Sequence, residues 1–154
     1  MPNVYIASDH RGFHLKEKLR SVFPTFLDLG PTSYDPEDDF NDAASAVAQK
    51  LKREKDALGV LICGSAIGIS IAANRHRGVR AAVVRDLETA VSSRQHLDAN
   101  IICLSADSVE NAKDPLESEK ALEDAVSLVE TFLSTPFSGK KKYLRRIKRL
   151  DKER

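Results

Sequence analysis

The stretch Leu58-Gly59-Val60-Leu61-Ile62-Cys63-Gly64-Ser65-Ala66-Ile67-Gly68-Ile69-Ser70 joins two patterns at a cysteine. Before Cys63 the apolar residues run without alternation, as in a strand covered on both faces. After it, a Gly-containing turn leads into a helix predicted over Ile67 to Asn74. A strand that passes through a tight turn into a helix is the repeating unit of a parallel α/β sheet.

Four more segments repeat the first half of that unit. Val4-Tyr5-Ile6-Ala7, Phe26-Leu27-Asp28-Leu29, Arg80-Ala81-Ala82-Val83-Val84 and Ile101-Ile102-Cys103-Leu104 read as strands. Between them the apolar residues fall at helical spacing. Leu15, Leu19, Val22 and Phe23 share one face, as do Ala44, Val47, Ala48 and Leu51. Leu122, Ala125, Val126, Val129 and Phe132 mark a longer helix with Pro115 near its start, where proline is accommodated. Strand-helix alternation with right-handed crossovers predicts a three-layer α/β/α doubly wound, Rossmann-like domain on a five-stranded parallel sheet. No repeat or linker divides it, so one domain is expected over residues 1–154.

The 154 residues are 42% apolar and 31% charged, ordinary for a globular protein. The start, Met-Pro-Asn-Val-Tyr-Ile, lacks the basic and apolar regions of a signal peptide, and no apolar run spans a bilayer. A cytoplasmic protein with no membrane partner is expected. Two cysteines, Cys63 and Cys103, fit reduced thiols better than a disulfide framework. Charge is uneven: Lys140 to Arg154 holds nine Lys or Arg against two acids, within a net charge of +1. Tyr143, Leu144, Ile147 and Leu150 give this basic tail an apolar stripe, predicting a packed helix from about residue 140. A basic tail can hold an anion or an acidic surface. Without an aromatic-rich or recognised motif, nucleic acid is not the expected partner.

In doubly wound sheets ligands bind beyond the carboxyl ends of the strands. Three of those ends carry reactive side chains: Ser8-Asp9-His10-Arg11-Gly12, then Cys63-Gly64-Ser65, then Arg85-Asp86 followed by a short helix with Arg94-Gln95-His96. Backbone amides at the start of a helix after Cys63 would favour an anion, either a thiolate or an enediolate formed beside a carbonyl. A buried core cysteine in a tight turn fits the same residues. A Walker-type loop is excluded because no Gly-Lys-Ser/Thr follows. The dinucleotide fingerprint is absent from the first strand-helix turn. His10 and His14 are the only helically spaced histidines and no acidic cluster completes a metal site.

Taken together these motifs resemble the B-type ribose-5-phosphate isomerases, a family that includes the galactose-6-phosphate isomerase subunits. The resemblance rests on Ser8-Asp9-His10-Arg11-Gly12-Phe13, Leu27-Asp28-Leu29-Gly30 and Ile62 to Asn74. It continues through Gly78-Val79-Arg80-Ala81 and Ser93-Arg94-Gln95-His96-Leu97-Asp98-Ala99-Asn100. It implies an aldose-ketose isomerase without cofactor or metal. Cys63 would move a proton between C1 and C2 through a cis-enediolate. Ser65 would assist at the sugar oxygens, and His96, with Asp9 nearby, would open the furanose ring. The substrate would lie against Gly64, Ala66, Gly68 and Asn100. Its phosphate would meet His10 and tail residues among Lys141, Lys142, Arg145 and Arg146. The resemblance also implies a homodimer or homotetramer whose sites draw on two subunits.

Four departures from the family pattern bear on substrate and rate. Ala66 stands where a glycine is usual, and its Cβ conflicts with a positive φ. Leu97 replaces an asparagine that supports the enediolate. Phe40 replaces a tyrosine. Lysines in Gly139-Lys140-Lys141-Lys142-Tyr143 replace part of a Gly-Gly-Arg-His tail, losing the bidentate fork of arginine. Three readings stay open: a ribose 5-phosphate isomerase, an isomerase of allose 6-phosphate or galactose 6-phosphate, and a sugar-phosphate binder with weakened catalysis.

Overall fold

The computed structural model describes residues 1–153. Its strands are β1 (Val4–Ser8), β2 (Leu27–Asp28), β3 (Leu58–Cys63), β4 (Ala81–Val83) and β5 (Ile101–Ser105). Its helices are α1 (Phe13–Val22), α2 (Phe40–Arg53), α3 (Ile67–Asn74), α4 (Leu87–Leu97), α5 (Asp107–Glu110), α6 (Pro115–Ser134) and α7 (Lys141–Lys152). The five strands form one parallel sheet in the order β2-β1-β3-β5-β4. The predicted fold class is therefore observed. The second and fourth strands are shorter than their apolar runs, since both lie on sheet edges and each has one neighbour.

The uninterrupted apolar run of β3 has its cause in the two layers that cover it, and all six of its residues are buried. Tyr5, Ala7, Leu61, Cys63, Ile101 and Cys103 pack under α2 and α3, against Val47, Ala48, Leu51, Ile69 and Ala73. Ile6, Val60, Ile62, Ile102 and Leu104 face Leu15, Leu19, Ala90, Val129 and Phe132 on the other side. Each such aliphatic or aromatic side chain, fully buried, contributes roughly 1.5–3 kcal/mol. Gly12 lets α1 begin against the end of β3: a Cβ there would lie 2.5 Å from the Ile62 carbonyl oxygen.

One lysine defies its type. Lys16 is fully buried, and its Nζ donates to both Asp28 carboxylate oxygens at 3.0 Å and to the Pro31 carbonyl at 2.9 Å. Breaking such a buried pair by deleting one partner typically costs about 3–5 kcal/mol. The pair ties down the start of the segment that leads from β2 to Asp38, which matters below.

The basic tail folds as α7, with Ile147 buried. Asp151 accepts from Arg80 Nη1 at 3.2 Å, and Tyr143 stacks on His96 of α4, centroids 4.5 Å apart. No helix among the described residues is long and apolar enough to cross a membrane.

Candidate active site

Adjacent strands β1, β3 and β5 bring their carboxyl ends to one rim, because Ser8 pairs with Ile62 and Cys63 with Ser105. Asp9 follows β1 and is buried, its Oδ1 accepting the Gly12 amide at 3.0 Å. Burial pushes its carboxyl above the usual range, with the nearby Asp38 charge adding to the rise. His10 is gripped from one side. Its amide donates to Asp38 Oδ1 at 2.8 Å, and its Nδ1 sits 2.9 Å from the same oxygen. That hydrogen bond, first of several causes, holds the imidazole above its ordinary value and leaves Nε2 for a ligand.

Cys63 closes β3 with only 4% of its surface exposed. Burial pushes its thiol up, and the Asp9 charge adds to the effect. Amides of Ile69, Ala66 and Ser65 pull the other way without prevailing. Burial and the amides thus oppose each other at the sulfur, and burial is the larger of the two. Cys103 lies deeper on the same side and is pushed far above the ordinary thiol range by burial. It keeps its reading as a core residue.

The turn after Cys63 is built around close approaches. A Cβ on Gly64 would lie 3.0 Å from Arg11 Cζ and 3.1 Å from Asp107 Oδ1, two side chains that pair over it. The Ser65 hydroxyl accepts the Ile67 amide at 3.2 Å, leaving its own proton free to donate. Ala66 is fully buried and takes φ 68°, so the position does demand the left-handed region, and alanine meets the demand. That conformation costs a non-glycine residue roughly 1–2 kcal/mol. Gly68 abuts Phe40, whose ring would lie 3.0 Å from a Cβ at that position.

Not every predicted residue reaches this rim. α4 starts beside it at Asp86 but runs for 11 residues, and at 1.5 Å per residue His96 ends up about 15 Å further down. His96 therefore lies toward the amino end of the sheet, and Asp9 is not its neighbour within one chain. Asn100 precedes β5 at the same end. Its side chain accepts the Arg80 amide and donates to the Gly78 carbonyl, both at 2.8 Å, so it is committed to the entry of β4. Around His96 gathers a second cluster. Tyr143 stacks on it, with Lys142 Nζ at 4.9 Å and Arg146 Cζ at 6.0 Å from the tyrosine ring. Lys141 and Arg145 are exposed on the same helix. Leu97 is 42% exposed and offers only its carbonyl, to Arg80.

A concavity of about 1400 Å³ also lies at the amino end, lined by Arg75, His76, Arg77, Leu97 and Leu150 among others. No thiol lines it, and Asp151 in its wall is paired with Arg80 rather than with a histidine. Sequence reasoning missed Asp38 and Asp107, and read Tyr143 only as part of the tail's apolar stripe and motif. The only prior signal for Asp38 was the acidic run Glu37-Asp38-Asp39 ahead of α2.

Residues 4–150 match the ribose/galactose isomerase family. A probable ribose-5-phosphate isomerase B of Mycoplasma pneumoniae is 40% identical over 140 residues, 88% of this chain and 85% of the relative. The ribose-5-phosphate isomerase B of Mycoplasma genitalium, solved with bound ribulose-5-phosphate, superposes with a TM-score of 0.84 at 37% identity, covering 97% and 94% of the two chains. The Thermotoga maritima ribose 5-phosphate isomerase gives 0.83 at 36% identity over 99% of each. Fold, rim and relatives together define an α/β isomerase. The chain belongs to the ribose/galactose isomerase family.

Proposed function

We propose that this chain interconverts ribose 5-phosphate and ribulose 5-phosphate through a cis-enediolate, with Cys63 as the base. The observation that carries the reading is the rim itself. A thiol sits at the end of the central strand, faced by helix amides, with a buried carboxylate and a histidine one strand away. The thiolate takes the proton from C2 and returns it to C1, while the amides of the Cys63–Ile69 turn support the charge that develops on oxygen. Ser65, with its hydroxyl proton free, moves protons at the sugar oxygens. Protonated His10 holds the phosphate dianion, and holding it fixes the reacting carbons over the sulfur.

Two half-sites at opposite ends of one chain make a whole site when two chains meet. Ile67 and Ile71 on α3 and Leu87 on α4 are each more than half exposed, with Leu97 and Leu144 nearly so. Helix α3 packs beside the short edge strand β4, and exposed apolar residues on it and on α4 and α7 suit a second copy. In the assembly we propose, His96 with Asp9 of the other subunit opens the ring. Lys142 and Arg146, with Lys141 or Arg145, complete the phosphate site across the interface.

A turnover comparison across ribose 5-phosphate, allose 6-phosphate and galactose 6-phosphate tests the substrate. The pentose phosphate is expected to lead in kcat/KM by about tenfold or more, the scale set by one misfitted carbon unit. A lead for either hexose phosphate would reassign the substrate. Binding without turnover of any would reduce the chain to a binder.

Asp38→Asn tests the phosphate role of His10. The carboxylate holds the imidazole pKa up, so its loss lowers that pKa, and each unit lost removes about tenfold of the imidazolium above both values. KM is therefore expected to rise most on the alkaline side, and the gap from the parent to narrow as pH falls and both imidazoles gain their proton. A KM gap independent of pH would refute the role.

A further inference from the structure

Arg85 follows β4 and precedes the cap of α4, exposed at the rim. Its neighbour Asp86 does not engage it, because Asp86 Oδ1 caps the helix by accepting the Thr89 amide at 2.7 Å. No carboxylate among the described residues pairs with its guanidinium. Instead Nη2 donates to the Ser65 carbonyl at 3.2 Å, which takes no backbone donor. The other end of that same peptide unit is the Ala66 amide, one of the three that face the sulfur of Cys63.

We propose that Arg85 is a positioning residue for Cys63, acting through the Ser65–Ala66 peptide. The guanidinium fixes the carbonyl outward, which turns the amide inward and holds Ala66 in its left-handed conformation. Donation to a carbonyl also polarises the N–H across the peptide bond, strengthening it as a donor by about 10–30%. The positive charge adds a favourable term for an anionic sulfur.

Other groups around the thiol do not supply this. Asp9, from the end of β1, opposes ionisation. Arg11, across Gly64, is already paired with Asp107 of α5. Cys103 on β5 stays neutral, Phe40 of α2 carries no charge, and α3 has no charged side chain from Ile67 to Asn74. Arg85 is the unpaired cation at this turn among the described residues.

The inference rests on the base reading of Cys63 only for its kinetic consequence, and the thiol's own titration tests it separately. Thiolate absorbance in the ultraviolet is followed against pH for the parent, Arg85→Ala and Arg85→Lys, with Cys63→Ser as the blank. In Arg85→Ala the thiolate fraction near pH 8 is expected to fall about threefold or more, equivalent to half a pKa unit. The kcat should fall in step with KM nearly unchanged, and Arg85→Lys should lie between. An unmoved titration overturns the proposal, whatever happens to KM. A raised KM with kcat and titration both unchanged would make Arg85 a substrate contact and overturn it as well. A shifted titration with unchanged kcat supports the link to the sulfur and removes Cys63 as base.

Discussion

Cys63→Ala is expected to lower kcat by about 10²–10⁴-fold, the contribution a positioned general base makes, and to stop deuterium exchange at substrate C2 in heavy water. The substitution removes one sulfur atom from a buried site and leaves a small void, so loss of fold does not account for a loss of that size. Cys63→Ser keeps the shape but offers a hydroxyl that is scarcely ionised, and it should be nearly as slow. The pH profile has a definite sign. A base works deprotonated, and burial pushes this thiol up, so kcat at saturating substrate should still be rising where an ordinary thiol has already titrated. Stability moves the opposite way. Cys63 and Cys103 both have folded pKa values above their unfolded ones. Their neutral burial stabilises fully below the unfolded thiol pKa, and that stabilisation is lost as pH climbs past it. The kcat should therefore climb toward alkaline pH until unfolding intervenes. Were Cys63→Ala to keep full exchange, the role would pass to Asp9, the other buried rim group with a raised pKa.

Local patterns carried the architecture because burial on both faces leaves a direct mark on composition. The runs around Val60, Ile102 and Ile6 are continuous for the reason the sheet shows: helices cover each side. The rim was legible too, since the carboxyl ends of parallel strands follow directly from strand order in the chain. What escaped the sequence depended on distance through space or on length. Asp38 reaches His10 across 28 positions, along a segment anchored by Lys16, a residue type whose burial composition does not announce. The place of His96 was not legible because the end of the sheet it reaches is set by how many turns α4 makes. A short helix would have left it at the rim, whereas 11 residues carry it away. The acidity of Cys63 was legible only in half: amides at a helix start can be read from a motif, while desolvation by Ile69 and its neighbours needs the packed core. Ala66 shows the reverse: glycine's usual place correctly signalled a positive φ, and a buried methyl occupies it regardless.

The separation of Cys63 from His96 permits a test that depends on which chain supplies which group. Neither Cys63→Ala nor His96→Ala chains alone should isomerise at more than a trace of the parent rate. Unfolded together in equal amounts and refolded, they should recover activity. In a mixed dimer, one site takes Cys63 from the His96→Ala chain and His96 from the Cys63→Ala chain, and so is intact. The other site carries both lesions. Half of randomly paired dimers are mixed and half of their sites work, so about one quarter of the parent activity should return, as two-fold symmetry requires. If each chain built its own site, every site would hold one lesion and mixing would restore nothing. The geometry leaves little room between these outcomes. A single chain would have to bring the end of α4 about 15 Å back toward the rim, against the stacking of His96 on Tyr143 and the anchoring of α7 through Arg80 and Asp151. A second chain needs only to lay its His96 end across the exposed face of Ile67 and Ile71, next to the turn that holds the thiol.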